Sequence, residues 1–305
     1  GEWSCVEVDG RKCYVASQYL SSQAPSVGQK AADSGKAVSQ TPEESPYVDK
    51  SWNVALKSEY AYSSFSKINS GSAIYYQNGK ENRKGKTVCV NAGHGTKGGG
   101  SVKTQCHPDG SAKVTGGTTN AGAVTAVAVS SGMTFSDGTA ESAVTLQMAK
   151  ILKNKLLEEG YDVLMIREES DVQLDNVART VIANNNADIH LALHWDSTEK
   201  DKGCFFMSVP SNKTYRAMEP VASHWQSHNA LGSSLIEGLK AAGNKIFSSG
   251  AMEMDLTQTS YSTIPSVDIE LGDKASSHTD ATLEKLAEGL VAGVNQYFDS
   301  VAGEN

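Results

Sequence analysis

The chain has 305 residues, enough for one large domain and something smaller, with 27 basic against 35 acidic side chains. That mildly acidic balance, without a long Lys/Arg block, argues against a nucleic-acid partner. No apolar run is long enough to cross a bilayer.

Residues 1–21 read as short strands: Trp3 to Val8, an Asp9-Gly10 turn, Arg11 to Val15, then Tyr19-Leu20. In that hairpin register Val6 lies opposite Cys13, so Cys5 points to the other face and a Cys5–Cys13 bridge is not expected. The remaining cysteines, Cys89, Cys106 and Cys204, bring the count to an odd five at irregular spacing, which argues against a disulfide framework. Cys89 and Cys204 sit in apolar runs as small hydrophobes. Residues 22–47, rich in Ser, Ala, Gln, Gly and Pro, have linker composition. Residues 48–86 give no clear pattern beyond the tyrosines Tyr60, Tyr62, Tyr75 and Tyr76, and 22–86 is read as linker and connecting region.

From residue 87 strands alternate with helices. Thr87 to Ala92 reads as a buried strand, and Ala140 to Glu159 as a helix with an apolar stripe at Val144, Met148, Ile151, Leu152 and Leu156, ended by Gly160. Tyr161–Ile166, Asp188–His194, Gly203–Val209 and Ile264–Leu271 follow as strands. Leu174–Asn184, Pro220–Ala241 and Thr279–Phe298 follow as helices. The expected fold is α/β, a largely parallel, mixed sheet covered by helices on both faces and preceded by a small β segment and linker. Ligand sites in such sheets gather at the carboxyl ends of strands. Between Gly95 and Thr139 lies a long Gly/Ser/Thr-rich stretch that either borders a groove or is a plain insertion.

Four residues carry the chemistry. His94 follows a strand between two glycines, Glu141 opens a helix, His194 closes an apolar run, and Glu270 ends another. Two imidazoles and a carboxylate suit one zinc ion with an open position, and a spare carboxylate suits a general base, which points to a metal-dependent hydrolase. Asp268 points to the same strand face as Glu270 and is an alternative base or a supporting partner. His190 and His194 would share an ion on a helix. On the expected strand their Cα atoms lie roughly 13 Å apart, so His190 is read as a satisfied interior histidine. His224 and His228 have zinc-protease spacing, but Trp225 stands where that motif carries glutamate. Cys106-His107 reads as a loop pair.

Together these segments resemble the zinc-dependent N-acetylmuramoyl-L-alanine amidases of bacterial cell walls, from about Thr87 to Phe298. The marks are Asn-Ala-Gly-His94-Gly, Glu141, the run ending in Arg167 with Asp171, Arg179 with Ala183-Asn184, Leu-His194-Trp-Asp, and Ile-Pro-Ser-Val with Ile-Glu270-Leu-Gly. The resemblance implies a domain over 87–300, His94, Glu141 and His194 as zinc ligands, and Glu270 as the catalytic glutamate. It also implies peptidoglycan as substrate, cleaved between N-acetylmuramic acid and L-alanine, and a secreted, wall-located enzyme. A zinc peptidase cutting within the stem peptide and a non-catalytic wall-binding protein are the alternatives. Departures are the long segment ahead of Glu141, Asp268 at a usually apolar position, and Asp273 in place of an aromatic. Residues 1–21 resemble the last third of a bacterial SH3-like domain, which implies wall binding.

Overall fold

The structure, a computed structural model, describes residues 3–8 and 11–16 by their backbone and residues 45–303 in full. Two compact units divide at Ser39 and Gln40. In the first, β1 (Trp3–Val8) and β2 (Arg11–Ala16) pair antiparallel with Val6 opposite Cys13 and Cys5 opposite Tyr14, the expected register. The Asp9-Gly10 turn and the Tyr19-Leu20 strand lie outside the described residues, and with them part of the SH3-like reading.

The second unit contains, in chain order, β3 (Val48–Ala55), β4 (Ser72–Asn78), β5 (Thr87–Ala92), β6 (Lys103–Gln105), β7 (Thr125–Val127), α1 (Glu141–Glu158), β8 (Asp162–Met165), α2 (Asn176–Asn186) and β9 (Ile189–Asp196). It continues with β10 (Cys204–Ser208), α3 (Lys213–Arg216), α4 (Val221–Ala241), β11 (Ile246–Glu253), α5 (Thr257–Tyr261), β12 (Ser266–Asp273) and α6 (Asp280–Ala302). Eight strands form one sheet in the order β11-β10-β12-β9-β5-β8-β4-β3. Its centre, β12-β9-β5-β8, is parallel, whereas β4 runs antiparallel to β8 and β10 antiparallel to β12. The sheet is therefore mixed, as expected. One boundary is corrected: β3 and β4 come from the segment read as connecting region, so the domain's sheet takes in residues ahead of Thr87. No described helix is long and apolar enough to cross a membrane.

Side chains alternate across each strand. Val88, Val90 and Ala92 of β5, Leu191 and Leu193 of β9, and Val267 and Ile269 of β12 pack with α1, α4 and α6 in one core. Each of these valines, leucines and isoleucines, fully withdrawn from water, contributes about 1.5–3 kcal/mol. Cys89 faces the opposite core with Ala178 and Ile182 of α2. By the same alternation His190, His194, Asp268 and Glu270 share the α2 face, where the functional groups collect. Cys89 and Cys204 are buried free thiols, and so is Cys106.

Candidate metal centre

β5 ends at Ala92, and the chain then turns sharply with His94 itself in the left-handed region (φ 65°) and Gly95 beside it (φ 70°). Gly93 serves close approach rather than the turn: a Cβ there would stand 2.3 Å from His194 Cε1 and 2.6 Å from the Leu193 carbonyl. Two fully buried arginines hold this loop by its backbone. Arg179 of α2 donates to the carbonyls of Ala92 (3.1 Å) and His94 (2.6 Å) and to Asn91 Oδ1 (3.0 Å). Arg167 donates to the Gly93 carbonyl at 3.0 Å and the Ser142 carbonyl at 2.8 Å. Burial pulls their pKa values down to about 9 and about 10, so both remain cationic at neutral pH. These are the arginines that stood out in the sequence, and their work is to fix the His94 loop.

Glu141 is the first residue of α1 and is 2 % exposed. Its Oε1 lies 2.8 Å from His94 Nε2 and 3.2 Å from His194 Nδ1, and accepts the Trp195 N–H at 3.0 Å. Its Oε2 accepts the Met133 N–H at 2.8 Å. His94 Nε2 and His194 Nδ1 are 3.0 Å apart. Among the described residues, these three are the one group of His, Cys, Asp or Glu whose donor atoms converge, all within 4.8 Å of one another. Burial alone would raise the Glu141 pKa, but hydrogen bonds from His194 and His94 hold it well below the usual carboxylate range. Burial likewise opposes an imidazolium at His194, yet Asp268, Glu141 and Glu270 together push its pKa up to about 10. Such crowding of donors suits a divalent cation taking the place of the shared proton.

Glu270 sits on β12 directly beside His194 of β9 in the parallel register. Its Oε2 is buried and has no hydrogen-bond partner among the described residues. Burial drives its pKa well above the ordinary value, and Asp268, Glu141 and Asp196 add to the rise against His194. The three converging donors, Asp268 and Glu270 all line one cavity of about 550 Å³.

The other histidines lie elsewhere. His190 is fully buried, with Nε2 3.3 Å from Asn91 Nδ2, but its Nδ1 has no partner among the described residues, so it is interior yet only half satisfied. His228 accepts the Ser266 N–H, and His224 contacts the Pro220 carbonyl. Neither belongs to the converging set. Burial lowers the pKa of both His190 and His228 to about 3.

The Gly95–Thr139 stretch borders the cavity and touches the donors. Ser130 meets His94 Nδ1 with its carbonyl (2.9 Å) and hydroxyl (3.0 Å). A Cβ on Gly132 (φ 82°) would lie 2.8 Å from His94 Cδ2 and 2.9 Å from Glu141 Oε2. Its far end is tied down by buried Asp255. That carboxylate accepts from His107 Nε2 (2.9 Å), the Val114 N–H (2.8 Å), the Thr115 N–H (3.0 Å) and Lys113 Nζ (3.1 Å). His107 is therefore a structural anchor rather than a plain loop residue. No sequence spacing signals this knot, because its halves lie about 140 residues apart. Asp273, the other departure, caps a loop by accepting the Lys202 N–H at 2.7 Å.

A family model described as N-acetylmuramoyl-L-alanine amidase matches residues 88–296. No curated protein matches the chain. Among solved structures the chain is similar to the N-acetylmuramyl-L-alanine amidase Ami1 of Mycobacterium smegmatis, at 16 % identity and TM-score 0.58, covering 71 % of this chain and 98 % of that one. It is similar to Ami1 of Mycobacterium abscessus at 20 % identity and TM-score 0.55, covering 70 % and 99 %. The amidase AmiC2 of Nostoc punctiforme gives 16 % and 0.51, covering 71 % and 99 %. At these identities the likeness is one of fold.

Proposed function

The chain belongs to the N-acetylmuramoyl-L-alanine amidase family, and from that premise we propose that it hydrolyses the amide between N-acetylmuramic acid and the L-alanine of the peptidoglycan stem, using zinc held by His94, Glu141 and His194. The observation that carries this reading is the convergence of those donors beside an unpartnered Glu270 in one cavity. Two neutral imidazoles and one carboxylate fit a catalytic zinc site that keeps a position open. When bound, the ion would supply the Lewis acidity that acidifies water and polarises a carbonyl.

The chain's own groups do the rest. Arg167 and Arg179 fix the His94 loop, so the donors need not be gathered when substrate arrives. Glu270, whose Oε2 has no hydrogen-bond partner among the described residues, is placed to take the proton of the attacking water and pass it to the departing amide nitrogen. Burial raises its proton affinity above that of a solvated carboxylate. We place the enzyme outside the cell, at the wall where its substrate is.

The test is digestion of purified peptidoglycan, with and without a zinc chelator, followed by mass spectrometry. The expected products are intact stem peptides beginning with L-Ala, lost on chelation and restored by zinc. Cuts inside the stem would turn the reading to a peptidase, and wall binding without release would turn it to a binding protein.

A further inference from the structure

The two ligand imidazoles face the centre through different nitrogens. His94 turns Nε2 inward, and its outward Nδ1 is held by Ser130. His194 turns Nδ1 inward, 3.0 Å from His94 Nε2 and 3.2 Å from Glu141 Oε1. Its outward Nε2 faces Asp268 Oδ2 at 3.7 Å, an ion-pair distance a fraction of an ångström beyond hydrogen-bond reach. A neutral imidazole carries one N–H, and a nitrogen that binds a cation must offer its lone pair. The proton of His194 therefore belongs on Nε2, the side where Asp268 stands.

The sheet builds this placement. β9 and β12 run parallel with Asp268 beside Ala192 and Glu270 beside His194. All four side chains share one face. Ala192 is a methyl group there, which leaves Asp268 room to reach forward along the sheet to the imidazole. The Cε1–Nδ1 edge of the His194 ring is closed by Gly93. Asp268 is outside the set of donors that converge on the centre, so it is not built as a fourth ligand.

We propose that Asp268 is a positioning residue: it accepts the Nε2 proton of His194, fixes that tautomer and ring orientation, and so sets the affinity and geometry of the centre without touching the ion. The proposal rests on the reading of the metal centre above. A carboxylate behind a ligand imidazole also increases the basicity of the inward nitrogen, and losing such a partner typically weakens metal binding by about 10- to 100-fold.

The experiment measures zinc affinity by competition with a chromophoric chelator on the full chain, for wild type, Asp268→Leu and Asp268→Asn. The visible spectrum of each cobalt-loaded protein is recorded alongside. Asp268→Leu should bind zinc about 10- to 100-fold more weakly and shift the cobalt bands, with the metal-free melting temperature close to wild type. Asp268→Asn, which keeps an accepting oxygen, should fall between. If the leucine variant does not fold, the asparagine variant carries the test, with an expected loss of about tenfold. Zinc affinity within twofold of wild type, with an unchanged cobalt spectrum, would overturn the proposal. His94→Ala and His194→Ala are measured in parallel. Undiminished zinc binding by them would sink the metal-centre reading itself, a different failure from that of Asp268.

Discussion

At the scale of single residues, Glu270 is set apart by what it lacks. A buried carboxylate oxygen without a partner is costly to keep, and here it lies in the cavity that the three donors line. Glu270→Gln should lower turnover on peptidoglycan by about 10²–10⁴-fold while zinc content, measured by atomic absorption, stays at the wild-type level. Equal loss of zinc would make Glu270 a ligand instead. Gly132 gives a second test. Any side chain there meets both His94 and Glu141 and must adopt a positive φ. Gly132→Ala should weaken zinc binding and activity together, and a variant with normal zinc affinity would show that the Gly132 segment yields freely.

At the scale of elements, the strands visible in the sequence are the buried ones. β5 and β8 are buried at every position, and β9 and β12 at nearly every one, so apolar residues fill the core-facing positions of each. The strands that escaped notice lie toward the edges. β3 is exposed over most of its length and β11 is buried at a single position, and neither carries a regular apolar alternation that would betray a strand. Hydrophobic pattern reports burial, and edge strands have little of it. His94, Glu141, His194 and Glu270 were legible because strand ends and a helix start are local features. The Ser130 and Asp255 contacts were not, since they join segments through space. Asp255→Ala would leave Lys113 and His107 without their buried partner, and should destabilise the domain by about 3–5 kcal/mol in urea denaturation. A change within 1 kcal/mol would mean that the knot is dispensable. α4 and α6 cross where a Cβ on Gly238 would stand 2.3 Å from the Gly289 carbonyl. Alanine is the better helix former by about 1 kcal/mol, yet backbone at that distance cannot give way cheaply. Gly238→Ala should therefore lower stability by about 1–3 kcal/mol.

Across the whole molecule, acid sensitivity follows from two buried histidines, His190 of β9 and His228 of α4. His190 and His228 have folded pKa values near 3, against about 6.5 in an unfolded chain. Between those values the unfolded state binds more protons, so the contribution of these two histidines is full above about pH 6.5 and falls as pH drops toward 3. By pH 5 the loss is on the order of 1–2 kcal/mol for each residue. Melting curves from pH 7 to pH 5 should show the fall, and the double variant His190→Gln, His228→Gln should flatten the slope whatever its absolute melting temperature. An unflattened slope would assign the acid sensitivity to other groups.

The groups of the centre come from residues 94, 141, 194 and 270, on a post-strand loop, a helix start and two neighbouring strands. In chain order the three converging donors are complete at β9, and Glu270 comes only with β12, the last strand before the closing helix.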